Sequence, residues 1–338
     1  MWTTLDRGER TERQNEDETD DEAEMTAACR RGSAQPARAG WGSPVRVVRV
    51  VVVSSALTLA VTGAGTVVAG CGDQPKANCL TSTASYAMKL IEMTRSESVP
   101  GACTDFGPAA FDADPEVGFV SYYPQDAKGQ PNYAKGSLAI QTTEIGNLFF
   151  NAEANGVENT ATDGTRYSIG PYSVTEPNSA NLCPVPTLSP THVILADIPA
   201  VPDDPTTPED DSVPEQKPVD AELVWSNVSV YLTAASFGTQ IQADLVDTRK
   251  TPAGDSCTIN YRTVSLAPAV PCTALDADGN PLTNPDGTPM LDPTLCDPDA
   301  DPSKGRFTGS GISPDVKYVC DPVSAYCVID GDTVPALK

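Results

Sequence analysis

The chain has 338 residues, of which 46 are acidic and 22 are basic, so its formal net charge is −24. A surface of this sign repels phosphate backbones, which excludes nucleic acid as an expected partner. The chain also has 10 cysteines but a single histidine.

Residues 1–44 precede the first apolar run and carry ten acids between Asp6 and Glu24. Because a leader needs positive charge at its start, no export signal begins here. We expect either a disordered acidic extension or a true start codon that lies later, at Met25 or at Val45.

Residues 45–70 have the three parts of a secretory signal peptide. Arg46 and Arg49 form the positive region, an apolar run follows over residues 50–61, and small residues precede Cys71. The tetrapeptide Val-Ala-Gly-Cys that ends at Cys71 has the form of a lipobox. We therefore expect cleavage before Cys71 and a diacylglyceryl lipid on its thiol.

The alternative to a cleaved leader is a transmembrane helix over the same residues. Serine, threonine and glycine interrupt the apolar run, and it ends on Cys71 rather than on a basic or aromatic flank, which favours the lipoprotein. Gly72 follows Cys71 where aspartate would signal retention in the inner membrane of enteric bacteria. The sequence thus predicts a lipid anchor in the outer membrane, a tether over residues 71–78, and a chain facing the periplasm or the cell surface.

Cleavage would also leave an even number of cysteines, since Cys29 and Cys71 drop out of the count. An even number in an exported chain predicts a disulfide framework. Pairing of sequence neighbours would join Cys79 to Cys103, Cys257 to Cys272, and Cys320 to Cys327, although the sequence allows many other pairings. No C-x-x-C spacing supports structural zinc. The eight expected disulfide cysteines are Cys79, Cys103, Cys183, Cys257, Cys272, Cys296, Cys320 and Cys327.

The mature chain is expected to be mainly β, an antiparallel, sandwich-like ectodomain with two β-rich halves at 79–197 and 221–338. A disordered loop at 198–220 separates them, because its acids and prolines leave little apolar surface to bury. Alternation of apolar and polar residues predicts the strands. The predicted strands are 86–93, 117–123, 137–142, 167–174, 222–234, 239–248, 256–266, 317–320 and 326–329, with a short helix at 147–154. Trp225 is expected to anchor the core.

The aspartate-rich turns that follow residue 271 are weak calcium candidates. Alternate oxygens along such a turn would face one ion. An EF-hand loop places glycine sixth, however, whereas Gly279 is fourth from Asp276, so ordinary solvated turns are the favoured interpretation. The candidate ligands are Asp276, Asp278, Asn280, Asp297, Asp299 and Asp301.

No sequence motif predicts catalysis. A Ser-His-Asp triad would need His192, which lies at the start of an expected strand, and no G-x-S-x-G motif surrounds a serine. A pair of glycosidase carboxylates needs no sequence proximity, so a tethered hydrolase stays open as an alternative. No cofactor is expected beyond the lipid on Cys71.

The lipobox, the eight cysteines and the segments 137–142, 224–231 and 309–314 together resemble the uncharacterised outer-membrane and secreted lipoproteins of myxobacteria. This resemblance implies lipidation at Cys71 and lends no activity. We expect a binding or structural role in the cell envelope, with an envelope protein or a glycan as partner. The alternatives are the tethered hydrolase and a calcium-dependent adhesion module.

Overall fold

The fold is that of a computed structural model, which describes residues 77–104, 115–202, 215–234 and 236–338. The predicted leader and Cys71 lie outside these described residues. Across the described ranges, every helix is too short or too polar to cross a membrane.

The described chain is mainly β, with antiparallel pairing throughout. Its strands are β1 (Tyr86–Glu97), β2 (Glu116–Tyr122), β3 (Ser137–Thr142), β4 (Ser168–Pro171), β5 (Leu182–Thr187), β6 (Thr191–Leu195), β7 (Val219–Leu232), β8 (Phe237–Lys250), β9 (Ser256–Leu266), β10 (Tyr318–Cys320) and β11 (Cys327–Ile329). The helix α1 (Thr143–Ala154) follows β3 directly. The antiparallel β prediction is therefore confirmed.

Nine strands form one sheet in the order β4-β3-β2-β1-β9-β8-β7-β5, and β6 pairs with β7 beside β5. Strands from both predicted halves build this sheet, since β1 pairs with β9 along most of its length. The loop expected at 198–220 is held at both ends, because Ile198 and Gln216 exchange two backbone hydrogen bonds of 2.8 and 2.9 Å.

The sheet curls so that its first and last strands meet around one core. Ser189, just after β5, donates its backbone N–H to Ile169 O of β4 at 2.8 Å, and Ser173 donates to Pro184 O at 2.9 Å. Gly170 makes this approach possible, because a Cβ there would lie 2.2 Å from Thr187 O. The enclosed core contains Trp225, which is 2% exposed, so its predicted role is confirmed.

A second core lies on the outer side of the sheet, where the C-terminal module, residues 267–338, packs against β1, β9 and β8. Val264 and Leu266 point outward into this core rather than inward. The module is also hydrogen-bonded to the sheet, since Gln240 Oε1 accepts from Ala336 N at 2.8 Å and Gln242 Oε1 accepts from Val334 N at 3.2 Å. Among the described residues, the outer face of β2, β3 and β4 is left largely open.

Four disulfides join the eight expected cysteines, but pairing of sequence neighbours is wrong. The bonds are Cys79–Cys183, Cys103–Cys257, Cys272–Cys320 and Cys296–Cys327. The physical reason is the long-range pairing of the sheet. Cys257, the second residue of β9, pairs with Glu97 at the end of β1, so it reaches Cys103 in the turn that follows β1. Sequence distance says little about spatial distance in such a fold.

Candidate functional site

The chain enters the described fold at one end of the curled sheet, and several contacts hold it there. Cys79 is bonded to Cys183, at the start of β5. Thr81 Oγ1 donates to Phe119 O at 3.1 Å. The buried hydroxyl of Tyr86 donates to Gly238 O, and burial raises the pKa of this hydroxyl above its usual value. The first residues of the fold are therefore fixed rather than free.

We call this region the tether end of the sheet. It is formed by the starts of β1, β5 and β8 and by the ends of β2, β7 and β9, which the strand register places together. Five residues lie between the predicted lipid site Cys71 and Ala77, the first described residue, so six Cα–Cα steps join the two. A fully extended stretch of that length spans about 20 Å. A lipid on Cys71 would thus hold the tether end close to a membrane.

The open outer face of β2 and β3 forms a groove of about 390 Å³ beside the first turn of α1. Small residues, Gly118 and Ala139, lie on its floor. Tyr122 and Tyr167 line it with half-exposed rings, at 53% and 46% exposure. Gln141 also lines the groove, and its side-chain amide donates to Arg166 O at 2.8 Å. An open, aromatic-lined groove of this kind suits a sugar ring or an extended peptide.

The sequence did not single out this groove. Alternation in β2 and β3 does predict which residues point outward, but both tyrosines would then be expected to be solvated surface residues. The groove exists because the C-terminal module covers β1, β9 and β8 but reaches β2 at its first residue, Glu116, whose carboxylate accepts from Tyr326 OH at 2.8 Å. No local pattern in the sequence carries that information.

A buried ionic network links α1 to β8. Arg249 makes hydrogen bonds of 2.6 and 2.8 Å to the two carboxylate oxygens of Glu144, and a third of 2.7 Å to Asp247. Burial raises the pKa of Asp247, and the positive charge of Arg249 opposes that effect. Because Arg249 binds both carboxylates, the network joins two elements and leaves no free acid–base pair.

His192 is the second polar centre. Its Nδ1 lies 2.9 Å from Asp163 Oδ1, and its Nε2 lies 3.6 Å from Asp220 Oδ1. Both ring nitrogens therefore face carboxylates, and within the described ranges no serine, threonine or cysteine side chain is hydrogen-bonded to either. This arrangement lacks the nucleophile that a triad needs.

The aspartate-rich candidates are split between separate turns. Asp276 Oδ1 accepts from the N–H groups of Asp278 and Asn280, both at 2.9 Å, which closes a hairpin turn. In another loop, Arg306 faces Asp297 and Asp301 at 3.6 and 4.0 Å. Protein donors thus already occupy these carboxylates.

In the described part of the chain, one group of possible metal ligands lies close enough to share an ion: Cys272, Cys296 and Cys327. All three are disulfide-bonded, so their sulfur atoms are not thiolates.

Comparison with known proteins gives a family match over the body of the sheet. The family model described as MlpA matches residues 84–268, which is β1 to β9 with little beyond. The Myxococcus xanthus protein named "Putative lipoprotein MlpA" is 24% identical over 295 residues, covering 85% of this chain and 98% of that protein. None of the solved structures matches this chain.

Proposed function

The chain belongs to the MlpA family, and from that premise we propose that it is a lipid-anchored protein of the outer membrane whose β ectodomain binds an envelope protein or a glycan. The observation that carries this proposal is the lipobox at Cys71, six residues before a fold that is fastened at its first residues. Four disulfides suit an exported chain. The name of the M. xanthus relative, which describes a lipoprotein, supports lipidation as well.

Metabolic labelling with palmitate tests the anchor. The wild-type chain should take up label and fractionate with the outer membrane, whereas Cys71→Ser should lose the label and appear in the soluble fraction. Cys29→Ser is the matched control, because Cys29 precedes the predicted leader and should change nothing. Equal labelling of the wild-type and Cys71→Ser chains would refute lipidation at this residue.

The groove between Tyr122 and Tyr167 is the proposed binding site. A photo-crosslinking amino acid at position 167 should capture a partner protein or glycan in intact cells, and the same group at Phe150, which is 72% exposed on α1, serves as the control. Gly118→Leu should fill the groove, and its Cβ would lie 3.6 Å from Gln141 O, an ordinary contact. Capture from position 167 that survives Gly118→Leu would place the binding site elsewhere.

A further inference from the structure

We propose that the tether end of the sheet is a membrane-facing surface that rests on the lipid head groups of the bilayer holding Cys71. This inference rests on the proposed lipid anchor and adds which face of the domain the anchor presents. It is carried by three independent features of the tether end: its lack of net charge, its exposed aromatic rings, and the short tether.

The first feature is the distribution of acids along the strands. In a chain of net charge −24, the described segments of the tether end, residues 77–88, 119–122, 182–186, 228–234, 236–243 and 263–268, contain no aspartate or glutamate. The adjoining loops carry Asp126 and Glu176, with Lys128 and Lys135 beside them. These four charges balance, and the C-terminal tail that packs on Gln240 adds Lys338 beside Asp315.

The opposite end of the same sheet, which we call the acidic end, differs sharply. It is formed by the end of β1, the start of β7, the end of β8 and the start of α1. It carries the bases Arg95, Arg249, Lys250 and Arg262 against twice as many acids, namely Glu92, Glu97, Glu144, Asp220, Glu222, Asp244, Asp247 and Asp255. Anionic head groups repel an acidic surface and accept a neutral or basic one. Of the two ends of the sheet, the tether end therefore meets the weaker repulsion from an anionic bilayer.

The second feature is a set of exposed aromatic side chains at the tether end. Phe237 opens β8 and is 52% exposed, and it adjoins Gly238, whose carbonyl accepts from Ser82 N of the entering chain. Tyr133 is 38% exposed on the hairpin that follows β2 and packs on the ring of Tyr123. Aromatic rings with a polar partner nearby favour the interface between head groups and acyl chains.

The third feature is reach. The tether from Cys71 to Ala77 extends at most about 20 Å. A domain held on so short a chain stays near the bilayer surface at all times. Even a weak preference of one face for the membrane therefore decides which face contacts it. The membrane is thus the occupant that this surface meets first.

Tryptophan reporters in the mature, lipidated chain test the orientation. Trp225 is the one tryptophan beyond residue 70, and it is buried, so an added tryptophan dominates quenching by lipids with brominated acyl chains. Phe237→Trp places the reporter at the tether end. Met93→Trp is the matched control, since Met93 is 55% exposed near the other end of β1.

In vesicles of phosphatidylethanolamine and phosphatidylglycerol, we expect quenching of the Phe237→Trp signal and none above the wild-type background for Met93→Trp. Lys128→Glu with Lys135→Glu should weaken that quenching, whereas Lys250→Glu at the acidic end should not. Equal quenching of the two reporters, or no quenching of either, would overturn the proposed surface. Unchanged melting temperatures confirm that each variant is folded.

Mass spectrometry of the Cys71 peptide separates this inference from the proposed function. If no diacylglycerol is found, the anchor proposal fails. The surface is then tested by coupling the Cys71 thiol to a maleimide lipid and repeating the two reporters. If the lipid is present and the reporters do not differ, the anchor stands and the membrane-facing surface is refuted.

Discussion

Arg249 holds Glu144 in a two-pronged ion pair, with N–O distances of 2.6 and 2.8 Å, and so ties the first turn of α1 to the end of β8. Asp247, 2% exposed on the same inward row of β8, takes the third hydrogen bond of the guanidinium. The inward face of β8 thus changes from apolar residues, Ala243 and Leu245, to charged ones where the helix closes the curled sheet.

Replacing Arg249 with methionine should destabilise the protein strongly. Removing one partner of a buried ion pair leaves the others uncompensated, which costs about 3–5 kcal/mol. Chemical denaturation of the mature chain measures this. The control is Lys250→Met, the next residue, which is more exposed and pairs with Asp220 at 3.5 Å, so its loss should cost less than about 1 kcal/mol. Similar costs for both variants would show that the network adds no stability.

A second prediction concerns the place where the sheet meets itself. Gly170→Ala puts a methyl group 2.2 Å from the backbone oxygen of Thr187, so β4 and β5 must separate. Overpacking of this kind costs about 1–3 kcal/mol, and amide exchange at Ser173 and Ser189 should speed up. Gly118→Ala is the control in the same sheet, since its Cβ meets Gln141 O at an ordinary 3.6 Å. Equal effects of the two substitutions would mean that the ends of the sheet are not in tight contact.

The sequence predicted the regular strands well because their alternation is local. Residues 256–266 and 137–142 were predicted with the bounds that β9 and β3 have. Strand β5 was missed, since Pro184 and Pro186 normally argue against a strand. β5 is the last strand in the sheet order and pairs with β7 on one side. A residue at the edge of a sheet need not donate a hydrogen bond on its outer side, so proline is tolerated there.

The groove and the disulfide pairing depend on which strands become neighbours across the whole chain, and alternation does not encode that. Cys79 and Cys183, for example, are 104 residues apart and meet because β5 and β1 both start at the tether end. By contrast, the acid-free segments of the tether end are visible in the sequence. The sequence alone does not show that these segments lie together, because the strand register is what brings them to one end of the sheet.

Calcium should not stabilise the protein. Asp297 and Asp301 already face Arg306, and Asp301 also accepts from Ser303 N at 3.1 Å. A bound calcium ion takes six to eight oxygen ligands. To supply any of them, Asp297 and Asp301 would have to leave their present partners. We expect the same melting temperature in EDTA and in excess calcium. A higher melting temperature in calcium, lost on Asp297→Asn, would instead support the calcium-dependent adhesion module.

The last prediction concerns acid, and it rests on Asp276. The backbone N–H of Asn280 and its side-chain amide hold the pKa of the Asp276 carboxyl below its usual value. Because the folded pKa is the lower one, the ionised carboxylate stabilises the turn above about pH 4, the ordinary value for aspartate, and that contribution is lost as the pH falls through the folded value. Amide exchange at Asn280, corrected for its intrinsic rate, should therefore accelerate in acid, and Asp276→Ala should show the fast rate at neutral pH.

Asp278→Ala is the matched control, because the Asp278 carboxylate accepts no hydrogen bond from the described residues of this turn. Corrected exchange that does not change with pH would show that the carboxylate does not hold the turn.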